Sequence, residues 1–128
     1  MPTPTETVSA FCAAFFEDGG RPAVRRWFTP NTRWVNEGVS ATNGAEEAIA
    51  MIDELEKSMG ISTVHIDMLA IAANGSRVLT ERLDRFGRAD GSEIGRVMIM
   101  GIFELEGDKI VEWRDYFDVN ALQKFAIE

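Results

Sequence analysis

The chain predicts an α+β fold in which helices come first and a curved, mixed or antiparallel sheet follows and folds over them. Three observations carry this. Apolar residues recur at helical spacing in the first half, the period switches to two beyond Ser62, and the pairs Asn74-Gly75, Asp90-Gly91 and Gly107-Asp108 punctuate the second half like consecutive hairpin turns. A length of 128 residues suits one core, so residues 1–128 are read as a single domain.

The first helix is expected from Val8 through Phe16, with Thr5 or Thr7 as its cap, and Gly19-Gly20 stops it. Pro22 suits the first turn of a short second helix running toward Trp27 and Phe28, after which Thr29-Pro30-Asn31 breaks the chain. Thr32 to Asn36 reads as a short strand, with Arg33 and Val35 on one side and Trp34 and Asn36 on the other. Asn43-Gly44 marks a turn, and Ala48, Ile49, Ile52, Leu55 and Met59 fit a third helix over Ala45 to Met59, ended by Gly60. Strands are expected over Ser62 to Ala73, Ser76 to Arg88, Glu93 to Glu106 and Lys109 to Phe117. Asp118 then caps a last helical turn carrying Leu122 and Phe125. Bent into a cone, such a sheet encloses a pocket between its concave face and the first and third helices.

A formal charge of −8 repels nucleic acid and anionic membrane surfaces unless a basic patch intervenes. The densest basic run, Arg21 to Arg26, is interrupted by Pro22, Ala23 and Val24 and reads as the solvated side of a helix. The single cysteine, Cys12, lies in an apolar run, so burial is expected and no intrachain disulfide can form. Met1 to Thr7 lacks the charged start and apolar stretch of a secretory signal, and no apolar run approaches the roughly 20 residues that span a bilayer. A cytoplasmic protein is the expectation.

Chemistry concentrates in two strands. Arg82 and Asp84 share one face of the strand expected over Ser76 to Arg88 while Leu83 faces away, and Val111, Trp113, Asp115 and Phe117 share a face of the last. An acid between two aromatics is unusual for a solvated edge. The plain alternative is an exposed ion pair worth about 0–1 kcal/mol. His65, alone on an alternating strand, reads as structural or solvated. Met98 and Met100, alternating with Val97, Ile99 and Ile102, read as core or pocket lining.

The segments Trp34-Val35-Asn36, Thr80-Glu81-Arg82-Leu83-Asp84, Gly101-Ile102-Phe103-Glu104-Leu105, Lys109-Ile110 and Trp113-Arg114-Asp115-Tyr116-Phe117-Asp118 resemble limonene-1,2-epoxide hydrolases, from about Phe28 to about Leu122. The resemblance implies the cone-shaped nuclear-transport-factor-2-like (NTF2-like) fold and a catalytic triad of Asp84, Arg82 and Asp115. Asp115 would take a proton from water attacking an epoxide carbon, protonated Asp84 would donate to the epoxide oxygen, and Arg82 would bind both carboxyl groups. It further implies water positioning by Asn36 and by Trp34, which stands where the family has a tyrosine. An indole N–H donates but cannot accept, so an altered pocket and a slower reaction are expected. Trp113, Met98, Met100, Phe15 and Phe117 are expected to line the pocket.

The chemistry fits those residue types. Opening a neutral epoxide with water needs a base at the nucleophile and an acid at the leaving oxygen, and one arginine between two buried acids lets the pair carry a single proton. The expected partners are an apolar epoxide and water, with no cofactor and no metal, and the resemblance further implies a homodimer through the convex sheet face, a surface that apolar positions such as Ile102 suit. Two other functions suit the same residues: a ketosteroid-isomerase or polyketide-cyclase-like enzyme using Asp115 alone, and a non-catalytic domain holding an apolar ligand.

Overall fold

A computed structural model describes residues 2–123. Helix α1 (Pro4–Ala14) is followed by a short 3-10 turn (Glu17–Gly20), α2 (Arg21–Trp27), strands β1 (Phe28–Asn36) and β2 (Ser40–Asn43), α3 (Gly44–Met59), strands β3 (Thr63–Asn74), β4 (Arg77–Gly87), β5 (Glu93–Glu106) and β6 (Lys109–Tyr116), and α4 (Val119–Gln123). The six strands form one sheet in the order β2-β1-β6-β5-β4-β3. All neighbours are antiparallel except β1 and β6, which run parallel, so the sheet is mixed and its ends do not meet. Helices α1, α2 and α3 pack on one face.

Local chemistry explains the helix ends. Thr3, not Thr5 or Thr7, caps α1. Its Oγ1 accepts from the Glu6 amide at 3.2 Å while the Thr3 amide donates to Glu6 Oε1 at 2.8 Å, a reciprocal box that starts the helix at Pro4. Pro22 sits in the first turn of α2, and Gly60 closes α3 in the left-handed conformation. The Asp118 side chain accepts from the Asn120 amide at 3.0 Å and so caps α4. Leu122 lies in that helix, whereas Phe125 falls outside the described residues.

The hairpins β3-β4, β4-β5 and β5-β6 follow the turn signals. Two strand features differ from expectation. Thr29-Pro30-Asn31 does not end the strand: β1 starts at Phe28 and only its ladder to β6 is interrupted, between Phe28 and Arg33, where proline offers no donor. The four-residue strand β2 carries too little pattern to be seen in the sequence. Register shifts at Met68/Ala70, Phe86/Gly87 and Glu104/Leu105 bend the sheet around the helices. The last of these moves Ile110, not Val111, into the core ahead of Trp113.

The core holds Val8 and Phe11 of α1 and Phe15, just beyond its end, against Trp34, Phe103 and Trp113 of the sheet. Trp34, Trp113 and Phe103 occupy matched positions on β1, β6 and β5. Their rings stack face to face, with centroids 4.5 Å and 5.1 Å apart, and Phe11 and Phe15 meet Trp113 edge-on.

Gly44 joins β2 to α3 at φ +80°, and a Cβ there would lie 2.7 Å from the Pro30 carbonyl oxygen. Gly44→Ala is expected to destabilise the fold by roughly 2 kcal/mol or more, combining left-handed strain with a backbone clash. Urea unfolding measures this, and an unchanged midpoint contradicts it.

Candidate active site

Alternation along β4 turns Thr80, Arg82 and Asp84 to the concave face, and alternation along β6 brings Trp113 and Asp115 there. The register sets Thr80 opposite Gly101, and Gly101 opposite Asp115, so the three lie in one row across β4, β5 and β6. Arg82 is 0% exposed, Asp115 2% and Asp84 5%. Three ionisable side chains thus share one buried site.

The Arg82 guanidinium spends all five of its N–H groups there. Nη1 and Nη2 donate to Asp115 Oδ1 and Oδ2 at 2.9 and 2.8 Å, a short bidentate pair. Nε and Nη2 reach Asp84 Oδ1 and Oδ2 only at 3.5 Å, and Nη1 also reaches Thr80 Oγ1 at 3.3 Å. Trp113 Nε1 donates to Asp115 Oδ1 at 2.7 Å. Asp115 therefore accepts from three short N–H donors, while Asp84 is held loosely.

The electrostatics follow that asymmetry. Burial is the main force on Asp84 and pushes its carboxyl up to about 6. Arg82 opposes the rise, and the charges of Asp115 and Asp67 add to it. Burial by itself would lower the proton affinity of Arg82, but Asp115 and Asp84 outweigh it and raise it, so the guanidinium stays charged. Cys12, on α1 near the same charges, has its thiol pushed up to about 12 by burial and stays neutral.

A cavity of about 870 Å³, its open mouth included, lies over this site. Phe15, Trp34, Asn36, Trp113, Phe117, Asp84 and Asp115 all line it, so the structure gathers most of the sequence-derived set. Asn36 stands beside Asp115 in the parallel β1-β6 register, and its amide donates to Ser40 Oγ at 3.3 Å. The Trp34 ring lines the cavity, while its Nε1 is buried without a hydrogen-bond partner among the described residues. Arg82 does not line the cavity; it sits behind the two acids.

Met98 and Met100 are the exception. They are 52% and 56% exposed on the opposite face of β5, and Val97 and Ile99 line the cavity instead. The pairing of Arg82 with Ile99 and of Asp84 with Val97 fixes that parity. Ser40 of β2, Met51 of α3 and Phe86 of β4 also line the cavity, and the sequence pattern did not single them out. His65 is half exposed and pairs with Asp67 at 3.1 Å. Among the described residues, no cluster of three or more His, Cys, Asp or Glu is arranged to hold a metal, and no helix is long and apolar enough to cross a membrane.

Fold and site together define a class: an α+β domain whose curved sheet buries a carboxylate-guanidinium-carboxylate cluster under an apolar cavity. The family profile for the limonene-1,2-epoxide hydrolase catalytic domain matches residues 2–127, and the chain belongs to that family. Epoxide hydrolase EphG of Mycobacterium tuberculosis is 31% identical over 89 residues, which cover 70% of this chain; the chain spans only 56% of that relative's length. The solved structure of an M. tuberculosis LEH-like epoxide hydrolase superposes with a TM-score of 0.72 at 25% identity, covering 95% of this chain and 88% of that one. An NTF2-like protein from Burkholderia pseudomallei, 18% identical, superposes over the whole of both chains with a TM-score of 0.81 and shows that the fold is NTF2-like.

Because Asp84 is held above its ordinary value of 3.8 at about 6, folding favours its protonated form. Its contribution to stability is therefore fully present below pH about 4 and is lost as pH rises toward 6, a swing on the order of 3 kcal/mol. Urea unfolding of the wild type and Asp84→Asn across pH 4 to 7 is expected to show the wild type losing stability relative to the variant by about that amount. A difference independent of pH contradicts it.

Proposed function

We propose that this chain is an epoxide hydrolase that adds water to a neutral, apolar epoxide by a one-step acid/base reaction. The observation that supports this most directly is the unequal grip of Arg82, short and bidentate on Asp115 and 3.5 Å from Asp84. That inequality separates the two acids into a carboxylate and a proton donor on one guanidinium. Water bound beside Asp115 and Asn36 gives one proton to Asp115 while its oxygen bonds to an epoxide carbon. The carbon–oxygen bond of the ring breaks, and Asp84 delivers its proton to the departing oxygen. The product is a vicinal diol, and return of the proton from Asp115 to Asp84, directly or through solvent, restores the starting state. No electron is gained or lost, so the balance requires only water.

The apolar lining and the absence of any cationic side chain from the lining residues favour neutral substrates; a carboxylate or phosphate group would find no counter-charge. An isomerase using Asp115 alone has no need of a guanidinium committed wholly to two carboxylates. A second copy of the chain is proposed as the protein partner, through the outer sheet face. There Leu79, Met98, Met100 and Tyr116 are each about half exposed, Ile102 is half-buried, and ion pairs of both signs flank them, a self-complementary patch.

Incubation with cyclic and aryl epoxides in oxygen-18 water is expected to give singly labelled diols. Asp115→Asn and Asp84→Asn are each expected to lower kcat by 10³-fold or more, estimated from the loss of an acid or base that contributes about 10²–10⁴-fold. The rate should fall about tenfold per pH unit above pH about 6, where Asp84 loses its proton. Turnover of an enone by a wild type inert on every epoxide would overturn the proposal. Met100→Glu is expected to convert a dimer seen by sedimentation velocity into a monomer; a wild type that is already monomeric at 50–100 µM, about the range where weak dimers persist, refutes the dimer.

A further inference from the structure

We propose that Gly101 and Thr80 are positioning residues of this site. Gly101 leaves open the space in which the Arg82–Asp115 pair closes, and the Thr80 hydroxyl holds the last guanidinium N–H. The inference depends on the hydrolase reading only for its kinetic consequences.

The row Thr80, Gly101, Asp115 crosses three adjacent strands, and the inward neighbours of Gly101 on β5, Ile99 and Phe103, are large. A Cβ on Gly101 would stand 2.3 Å from Asp115 Oδ1, 2.4 Å from Arg82 Nη1 and 3.2 Å from Thr80 Oγ1. Neither of the first two atoms can step aside. Both belong to side chains at most 2% exposed and joined to each other by the bidentate bond. Gly101 is also not among the glycines with positive φ, so its backbone does not call for glycine. A glycine inside a strand weakens it. Here the missing side chain is what lets guanidinium and carboxylate meet.

Thr80 completes the arrangement from the other side. Its hydroxyl is buried and donates to the Gly101 carbonyl oxygen at 2.9 Å, which spends its one hydrogen and leaves the oxygen to accept from Arg82 Nη1 at 3.3 Å. The Gly101 carbonyl thereby orients the hydroxyl, and the hydroxyl orients the guanidinium edge that grips Asp115. Turning Arg82 toward the cavity would break this relay.

The test uses the whole chain with substitutions Gly101→Ala, Thr80→Val and Thr80→Ser. Readouts are circular dichroism, nitrogen-15 NMR of the Arg82 guanidinium, and the pH profile of kcat. The titratable groups that face the cluster are Asp84, Asp115 and Cys12 on α1, while Asp67 on the outer face of β3 acts on Asp84 only through its charge. Gly101→Ala, folded by circular dichroism, is expected to lose the separate, slowly rotating Nη signals of Arg82. Its kcat should fall roughly 10²-fold with KM little changed, as a displacement of about 1 Å at reacting groups produces, and its pH profile should move. A folded alanine variant with wild-type Arg82 signals and pH profile overturns the proposal. If that variant does not fold, Thr80→Val decides. Loss of the Nη1 signal, restored in Thr80→Ser, supports it, and a valine variant matching the wild type refutes it. A wild type inactive on epoxides would sink the hydrolase reading alone, because the NMR comparison still judges the positioning.

Discussion

One guanidinium held between two buried carboxylates is the constraint on which the rest of this structure depends. Arg82 has no solvent contact and uses every donor it has on Asp115, Asp84 and Thr80. Such a cluster is a poor way to gain stability. Moving these charges out of water costs several kcal/mol per ion, and apolar residues of the same volume would often be neutral or better. Removing one member is worse still, because the others are left unpaired at a cost of about 3–5 kcal/mol. The sheet accommodates it by compensating every polar atom within its own rows, which is why Thr80 and Gly101 matter as much to the arrangement as the charges do.

The asymmetry of the cluster is what gives it chemical direction. Two acids at equal distance from one arginine would share their proton without preference. Here the Trp113 indole and both guanidinium nitrogens converge on Asp115, while Asp84, further from the cation and equally buried, is pushed up to about 6. The two acids thus differ by environment and not by residue type.

Much of this was legible in the sequence, and the failures have physical causes. Period-two alternation placed Arg82 and Asp84 on one face of their strand and Trp113 and Asp115 on one face of theirs, because in each strand charged residues mark the parity. On β5 no such marker exists. Val97, Met98, Ile99 and Met100 are all apolar, and the outer face of the sheet is itself apolar there, so alternation cannot say which set faces inward; the pairing with β4 does. Ile110 was hidden for a different reason, since a bulge between Glu104 and Leu105 shifts the parity of β6 before Trp113. Gly101 did carry a signal, a glycine inside a strong strand pattern, but its meaning depends on residues 21 positions before it and 14 after it, which only the folded sheet brings together.

The aromatic wall ties the Asp115 carboxyl to the cavity. Trp34, Trp113 and Phe103 come from three neighbouring strands at matched register, so their stacking is fixed by the same ladders that align Asn36, Asp115 and Gly101 one step further along. Trp113 is the shared member: its ring faces lie against Trp34 and Phe103, and its N–H holds Asp115. The indole at position 34 gives that stack a broad face, and its buried N–H makes no bond among the described residues. The position thus contributes through its ring surface, which clamps Trp113 and through it the carboxylate of Asp115. Any movement of the wall is then also a movement of the Asp115 carboxyl, and the shape of the cavity and the orientation of that carboxyl are set by the same contacts.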